Sequence, residues 1–221
     1  MHIEFLVEDS SGEILLRTLL PQLLGPQTDP HTWRIHAYKG IGRVPKGMTG
    51  AGDPMNRLLL DRLPKLLSGY SKSPGIDAVV VVLDVDKLDY QTVMQELHYV
   101  ASQTAPLLNA IFRLAVEEIE AWYLGDRAAL LKAYPRAKMK VLAGYTQDAA
   151  CGTWELLADA VHPGGLKAIK KAGWPLPGQI KHEWAEKIGR LMTLDENASP
   201  SFREFRDGMR QLAAGGIAAP N

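Results

Sequence analysis

Two aspartates directly follow the most apolar stretch of the chain. The segment 78–83 is continuously apolar and rich in valine, and Asp84 and Asp86 come at its end. Residues two apart in an extended chain point to the same side. Paired carboxylates repel each other unless a cation lies between them, and oxygen ligands suit hard ions such as Mg²⁺ or Mn²⁺. The pair therefore indicates either a metal site or a turn before a helix predicted from Tyr90, with Asp89 as its cap.

Acidic residues also follow two of the other predicted strands. Glu8 and Asp9 come after a strand predicted at 3–7, and three glutamates come after a strand predicted at 109–116. These three are Glu117, Glu118 and Glu120. Because the carboxyl ends of parallel strands meet at one edge of a sheet, we expect these acids to converge. Such a cluster suits one or two divalent cations and in-line displacement at a phosphoryl group.

The elements that position these acids are predicted from apolar periodicity. Strands are predicted at 3–7, 33–38, 78–83 and 109–116, and helices from residue 10, at 55–67, at 90–102 and from 117 towards 134. This alternation predicts an α/β fold with a mostly parallel sheet flanked by helices over 1–125. Short helical segments broken by proline and glycine then predict a C-terminal α-helical appendage over 126–212, packed on the sheet, and a flexible tail over 213–221.

The composition excludes several classes of protein. The chain has 221 residues, with 25 Lys plus Arg and 25 Asp plus Glu, so a nucleic acid would have to be bound by local patches. The single cysteine, Cys151, excludes an internal disulfide and a cysteine-rich zinc site. No stretch is long and apolar enough for a signal peptide or a membrane span, so we expect a soluble cytoplasmic protein.

Other catalytic motifs are missing from the sequence. The glycines at 40 and 42 lack the third glycine of a dinucleotide-binding loop, and neither a P-loop nor a GxSxG nucleophile motif is present. His182 and Glu183 lack the second histidine that a HExxH zinc site requires. The sequence therefore supports neither nucleotide hydrolysis by a P-loop nor acyl transfer.

Two sets of residues resemble a known family. Glu8 with its small-residue turn, Glu13 and the leucine-rich segment after it, together with Asp84 and Asp86, resemble the Toprim fold of topoisomerases, bacterial primases and the OLD (overcoming lysogenization defect) nucleases. The segments Ala115–Trp122 and Ser199–Phe202 resemble more closely stand-alone Toprim-like bacterial proteins related to the OLD nucleases.

The resemblance implies a function as well as a fold. It implies a Mg²⁺- or Mn²⁺-dependent nuclease acting on DNA, in bacterial defence or repair, with a separate ABC-type ATPase subunit as partner. The implied metal ligands are Glu8, Glu13, Asp84, Asp86 and Glu120, with Glu117 as an alternative to Glu120. Glu8, Asp84 and Asp86 would also be catalytic, and Lys181 would stabilise charge in the transition state. Asp9 departs from the family, in which glycine is usual at this position.

Simpler interpretations of the same residues stay open. Glu13 has the spacing of a capping box with Ser10, and Glu117 and Glu118 would be favoured by the dipole in the first turn of a helix. Trp122 is expected in the core rather than as a platform for a base. A glycine-rich loop predicted at 39–53 carries basic residues that would contact phosphate or only solvent; these are Lys39, Arg43 and Lys46.

Two other functions also stay open. One is a non-catalytic Toprim-like binding module, which the neutral net charge permits, and its oligomeric state is left open. The other is a receiver-like domain in which Glu8, Asp9 and Asp84 would form the phosphoacceptor site. Along the chain, Glu8 and Asp84 are farther apart than a compact receiver domain needs, which argues against the receiver-like function.

Overall fold

The protein is an α/β structure built on a four-stranded parallel sheet. It is a computed structural model that describes residues 1–28, 30–43 and 58–215. The strands are β1 His2–Val7, β2 Thr32–Ala37, β3 Ala78–Asp84 and β4 Ala110–Ala115, in the order β2-β1-β3-β4. All neighbouring strands are parallel. The predicted fold class is therefore confirmed.

Three helices connect the strands and a series of helices follows the sheet. The connecting helices are α1 Ser10–Leu24, α2 Leu59–Tyr70 and α3 Tyr90–Thr104. After β4 come α4 Glu120–Gly125, α5 Arg127–Ala133, α6 Met139–Ala143, α7 Thr153–Val161, α8 Gly165–Ala172, α9 Leu176–Gly189 and α10 Pro200–Ala213. Among the described helices, no segment combines the length and the apolar character needed to cross a bilayer.

The sheet is covered on both faces, which explains the continuous apolar run of β3. Residues 78–83 are all buried, with side chains that alternate between two hydrophobic clusters. One cluster joins the sheet to α1, α9 and α10, and the other joins it to α2 and α3. Because the first cluster includes residues from both the sheet and the C-terminal helices, the sheet and those helices share one hydrophobic core.

The two segments with the narrower family resemblance meet in the core. Trp122 is fully buried, stacks on Phe205 at 5.0 Å between ring centroids and donates from Nε1 to Ser201 Oγ at 3.0 Å. Ser199 caps α10 by accepting from the backbone N–H of Phe202. The prediction that Trp122 belongs to the core is confirmed, and both segments fix α10 against α4.

Two local predictions are corrected by the structure. The cap of α1 is Asp9, whose carboxylate accepts from the backbone N–H of Gly12, so the capping box of Ser10 and Glu13 is wrong. The helix predicted from 117 is two helices that break at Asp126, because Asp126 caps α5 by accepting from the Ala129 N–H. The predicted cap of α3, Asp89, is confirmed. Much of the loop predicted at 39–53 lies outside the described residues.

Candidate active site

The acids that follow β1 and β3 lie together at the carboxyl edge of the sheet. The backbone N–H of Asp84 donates to Glu8 Oε2 at 3.2 Å. Asp84 Oδ1 in turn accepts from the backbone N–H of Ile119 at 3.0 Å. The loop after β4 is thereby joined to β3, and the three strand ends form one connected unit. The predicted convergence of Glu8 and Asp84 is therefore observed.

Backbone conformations at this edge are unusual. Asp86 has φ 51° and Glu117 has φ 60°, both in the left-handed region that non-glycine residues rarely adopt. The two residues face each other, since the Asp86 N–H donates to the Glu117 carbonyl at 2.7 Å. Strained residues of this kind persist where the surroundings hold them, and they cluster at functional sites.

Glu117 has a structural role in this arrangement. Its carboxylate accepts from the backbone N–H groups of Cys151, Gly152 and Thr153 at the start of α7, at 2.7–3.1 Å. The prediction that Glu117 and Glu118 occupy the first turn of a helix is wrong, because α4 begins only at Glu120. The Glu117 carboxylate is thus engaged with amides, and Glu120 is the better match for the later acid of the cluster.

Lys181 from α9 reaches the same edge. Its Nζ lies 3.3 Å from Glu118 Oε1 and 3.5 Å from Glu120 Oε1. Glu118 also accepts from the backbone N–H of Trp154 at 3.2 Å. The structure thus places Lys181, whose catalytic role is implied only by the family resemblance, beside Glu118 and Glu120.

Glu120 is the most unusual carboxylate of the cluster. Its side chain is 1% exposed and lies 3.5 Å from the Lys181 ammonium, yet no other described residue makes a hydrogen bond to either of its oxygens. The hydroxyl of buried Tyr123 is in the same situation with respect to the described chain. Buried polar groups are nearly always hydrogen-bonded, so an exception of this kind needs an explanation.

The electrostatics of the edge favour protonated carboxyl groups. The pKa of Glu8 is raised to about 7, chiefly by burial and also by the charges of Asp86 and Asp9, while the Asp84 N–H and Lys181 oppose the shift. Burial likewise raises the pKa of Glu120 to about 7 despite Lys181. The pKa of Asp84 is raised well above its usual value by burial and by Glu8 and Glu120. The positive charge near these carboxyl groups is therefore too small to keep all of them ionised at neutral pH.

The pKa values of Asp86 and Lys181 are also shifted by burial and by neighbouring charges. Burial raises the pKa of Asp86, and Lys181 opposes this shift. Burial disfavours the Lys181 ammonium, yet the carboxylates of Glu120, Glu118 and Asp84 raise its pKa above the ordinary value. Lys181 therefore stays charged at neutral pH and neutralises part of the cluster.

Two predicted residues have other partners. Glu13 lies on α1 and pairs with Arg17, one helical turn later, at 2.5 Å. Asp9 accepts from Ser11 Oγ as well as from the Gly12 N–H, so the acid that replaces the usual glycine serves as a helix cap. Of the loop lysines, Lys46 lies outside the described residues.

The donor set fits a hard divalent cation in its chemistry. In the described parts of the chain, no group of three or more His, Cys, Asp or Glu side chains is arranged to hold a metal ion. Mg²⁺, however, is usually bound through one or two carboxylates, with water and substrate phosphate completing its shell. Glu8 and Asp84, with Asp86 and Glu120 close by, provide oxygen atoms only. The desolvated Glu120 carboxylate is what a nearby cation would stabilise.

The sequence singled out Glu118 as one of the converging acids but not its contacts, through which it joins Lys181 to α7. Trp154 was not predicted to belong to the site, and its ring lies 5.9 Å from Lys181 Nζ. No local pattern marks Trp154, because it reaches Glu118 and Lys181 across more than 25 residues of chain.

The fold and this edge define an α/β protein with a desolvated carboxylate cluster and one lysine at the carboxyl ends of its parallel strands. The chain belongs to the family of the domain of unknown function DUF4276, whose sequence profile matches residues 7–210. No curated protein and no solved structure matches the chain.

Proposed function

We propose that this protein is a divalent-metal-dependent nuclease that hydrolyses phosphodiester bonds in DNA, with Mg²⁺ or Mn²⁺ as its cofactor. The observation that carries this proposal is the convergence of Glu8, Asp84 and Glu120 on one edge, where burial raises the pKa of each. A cluster of desolvated carboxyl groups costs stability, and a bound cation would offset that cost. The residues therefore fit a site that is completed by a metal ion.

The residues of the cluster have separable roles. Glu8, Asp84 and Asp86 would hold the ion, with Glu120 behind them. When bound, the ion would neutralise charge on the phosphate and orient the attacking water. Lys181 keeps a positive charge within 3.3–3.5 Å of Glu118 and Glu120, which suits it to balance charge that develops during displacement.

The Toprim-like features support a wider context for the activity. Glu8 directly follows β1, Asp84 ends β3 and Asp86 comes two residues later, and these positions support the proposed likeness to OLD nucleases. In those nucleases the Toprim domain is fused to an ABC-type ATPase. The proposal therefore includes a separate ATPase subunit and a role in bacterial defence or repair.

A plasmid assay tests the activity. Purified protein is incubated with supercoiled plasmid and Mn²⁺, beside Asp84→Asn and Asp77→Asn variants. Asp77 precedes the same strand at its opposite end, where it accepts from the His2 N–H, so it is a matched control. We expect Asp84→Asn to lower the nicking rate on the order of 100-fold or more, because metal stabilisation of transition-state charge amounts to several kcal/mol. Asp77→Asn should nick like the wild type.

Other outcomes would overturn the proposal. Equal nicking by the wild type and Asp84→Asn would identify a contaminating nuclease. Thermal stabilisation by Mn²⁺ without nicking, lost in Asp84→Asn, would favour a metal-binding module. Phosphorylation by acetyl phosphate that requires Asp84 would favour a receiver-like domain.

A further inference from the structure

A cavity of about 980 Å³ lies beside the carboxylate cluster. Its walls come from the loops after β2, β3 and β4 and from the starts of α2, α3 and α7. Asp86, Glu117 and Glu118 line it, so it is continuous with the candidate active site. The volume is at the upper end of the range of about 300–1,000 Å³ that is typical of small-molecule sites.

The lining combines an aromatic ring, aliphatic side chains and a few charges. The apolar part consists of Ile41, Leu60, Leu88, Val93 and Trp154. The backbone N–H of Trp154 donates to the same Glu118 carboxylate that accepts from Lys181, and the Nζ atoms of Lys170 and Lys181 each lie 5.9 Å from the centroid of its ring. A flat ring placed against Trp154 would therefore lie next to the lysine of the candidate active site.

The acids of the cavity are largely engaged. Glu117 accepts three backbone N–H groups, Glu118 pairs with Lys181, and Glu155 lies 3.8 Å from Lys170 Nζ. The other charged residues of the lining are two acids and two bases, namely Asp86, Glu96, Arg43 and Lys87. Acids therefore outnumber bases on the lining, and a phosphate would depend on direct pairing with Arg43 or Lys87. The cavity thus has the apolar character that a base requires and cations that can pair with its phosphate.

We infer that this cavity binds one unpaired nucleotide of a DNA strand, with its base stacked on Trp154 and its phosphate paired with Arg43 or Lys87. This inference rests on the proposed function and names its substrate class: single-stranded DNA or an unpaired stretch, such as supercoiling opens in a plasmid, rather than fully paired duplex. Stacking on aromatic side chains holds single strands without regard to sequence. The adjoining phosphodiester would lie towards Asp86, the residue shared by the cavity and the carboxylate edge.

Binding without cleavage tests the inference. Fluorescence anisotropy of a labelled oligothymidylate, single-stranded or annealed to its complement, is measured with Ca²⁺ for the wild type and for Trp154→Ala, Trp154→Phe and Trp174→Ala. Trp174 is 84% exposed and is no part of the cavity lining, so it serves as the matched control. We expect Trp154→Ala to weaken single-strand binding about 10- to 100-fold. Trp154→Phe should recover most of that loss, and Trp174→Ala should bind like the wild type.

A second variant protects the test against misfolding of Trp154→Ala. Arg43→Gln removes one phosphate partner and should lower the slope of log affinity against log salt by about 1. Tight single-strand binding that neither variant weakens would overturn the inference, as would equal binding of duplex and single strand. Protection of the protein by spermidine, lost in Trp154→Ala, together with no oligonucleotide binding would instead identify a site for cationic ligands.

The two proposals fail in different ways. Suppose that nicking requires Asp84 but that Trp154→Ala changes it on neither single-stranded nor duplex DNA. This result would support the nuclease and contradict nucleotide binding in the cavity. Single-strand binding that requires Trp154, without metal-dependent cleavage of any DNA, would support nucleotide binding in the cavity and contradict the nuclease activity.

Discussion

Two buried glutamates in this protein have opposite environments. Glu4 in β1 is 3% exposed, and its two oxygens accept from His2 Nε2 at 3.1 Å and His36 Nε2 at 2.6 Å. Glu120 at the start of α4 is 1% exposed, and no described residue makes a hydrogen bond to its oxygens. The first carboxylate is fully used by the fold. The second is desolvated at the edge where ligands of parallel sheets collect, which is the arrangement of a binding site.

The largest effect on stability is expected when the Lys181 ammonium is removed from the carboxylate cluster. Lys181→Met leaves Glu118 and Glu120 without their ammonium in a desolvated environment. We expect the free energy of unfolding at pH 8 to fall by about 3–5 kcal/mol, because breaking a buried pair exposes the full cost of the charge left behind. Urea unfolding followed by circular dichroism measures this value.

Lys187→Met is the matched control for that prediction. Lys187 lies on the same helix and pairs with Glu183 at 2.6 Å, but both side chains are about half exposed. An exposed pair of this spacing stabilises a helix by about 0.3–0.5 kcal/mol, so the loss should be small. Similar losses in the two variants would show that the cluster is not desolvated.

Amide substitutions of the two buried glutamates should have effects of opposite sign. Glu4→Gln removes the charge that holds His2 and His36, and it should lower stability by about 1–3 kcal/mol. Glu120→Gln removes a charge that lacks hydrogen-bond partners within the described chain, and it should raise stability at pH 8. Thermal unfolding of both variants beside the wild type measures the two shifts.

The pH dependence sharpens this contrast. The pKa of Glu120 is raised from 4.5 to about 7 in the folded protein, so the folded state binds the proton more tightly than the unfolded chain. Its contribution to stability is fully present below pH 4.5 and is lost as the pH rises through about 7. The gain from Glu120→Gln should therefore grow from pH 5 to pH 8. A gain that is constant with pH would contradict the raised pKa.

The strand-based part of the site could be predicted from the sequence. A valine run buried on both faces, followed by Asp84 and Asp86, leaves little choice about β3 and its edge. The parallel order then brings Glu8 beside Asp84, because β1 and β3 are neighbours in the sheet. Local pattern was sufficient here since each acid directly follows its strand.

The helical part of the site could not be predicted in the same way. Whether Glu117 or Glu120 completes the cluster depends on the left-handed turn at Glu117, which delays the start of α4 by three residues. The contact between Lys181 and Glu118 spans 63 residues and depends on how α9 packs against α1. Tertiary packing decides such contacts, and periodicity carries no information about them. The resemblance to OLD nucleases, not spacing, pointed to Lys181.

The smallest effect on stability is expected from substitution of Glu13, which lies on α1 outside the carboxylate cluster. Glu13 pairs with Arg17 on the surface of α1, where the arginine side chain is 64% exposed. Glu13→Gln should therefore cost only about 0.3–0.5 kcal/mol of stability. It should also leave Mn²⁺-dependent nicking and the stabilising effect of Mn²⁺ unchanged, because no described contact links Glu13 to Glu8 or Asp84. A loss of nicking comparable to that of Asp84→Asn would instead extend the metal site to α1 and require Glu13 to leave Arg17 when the ion binds.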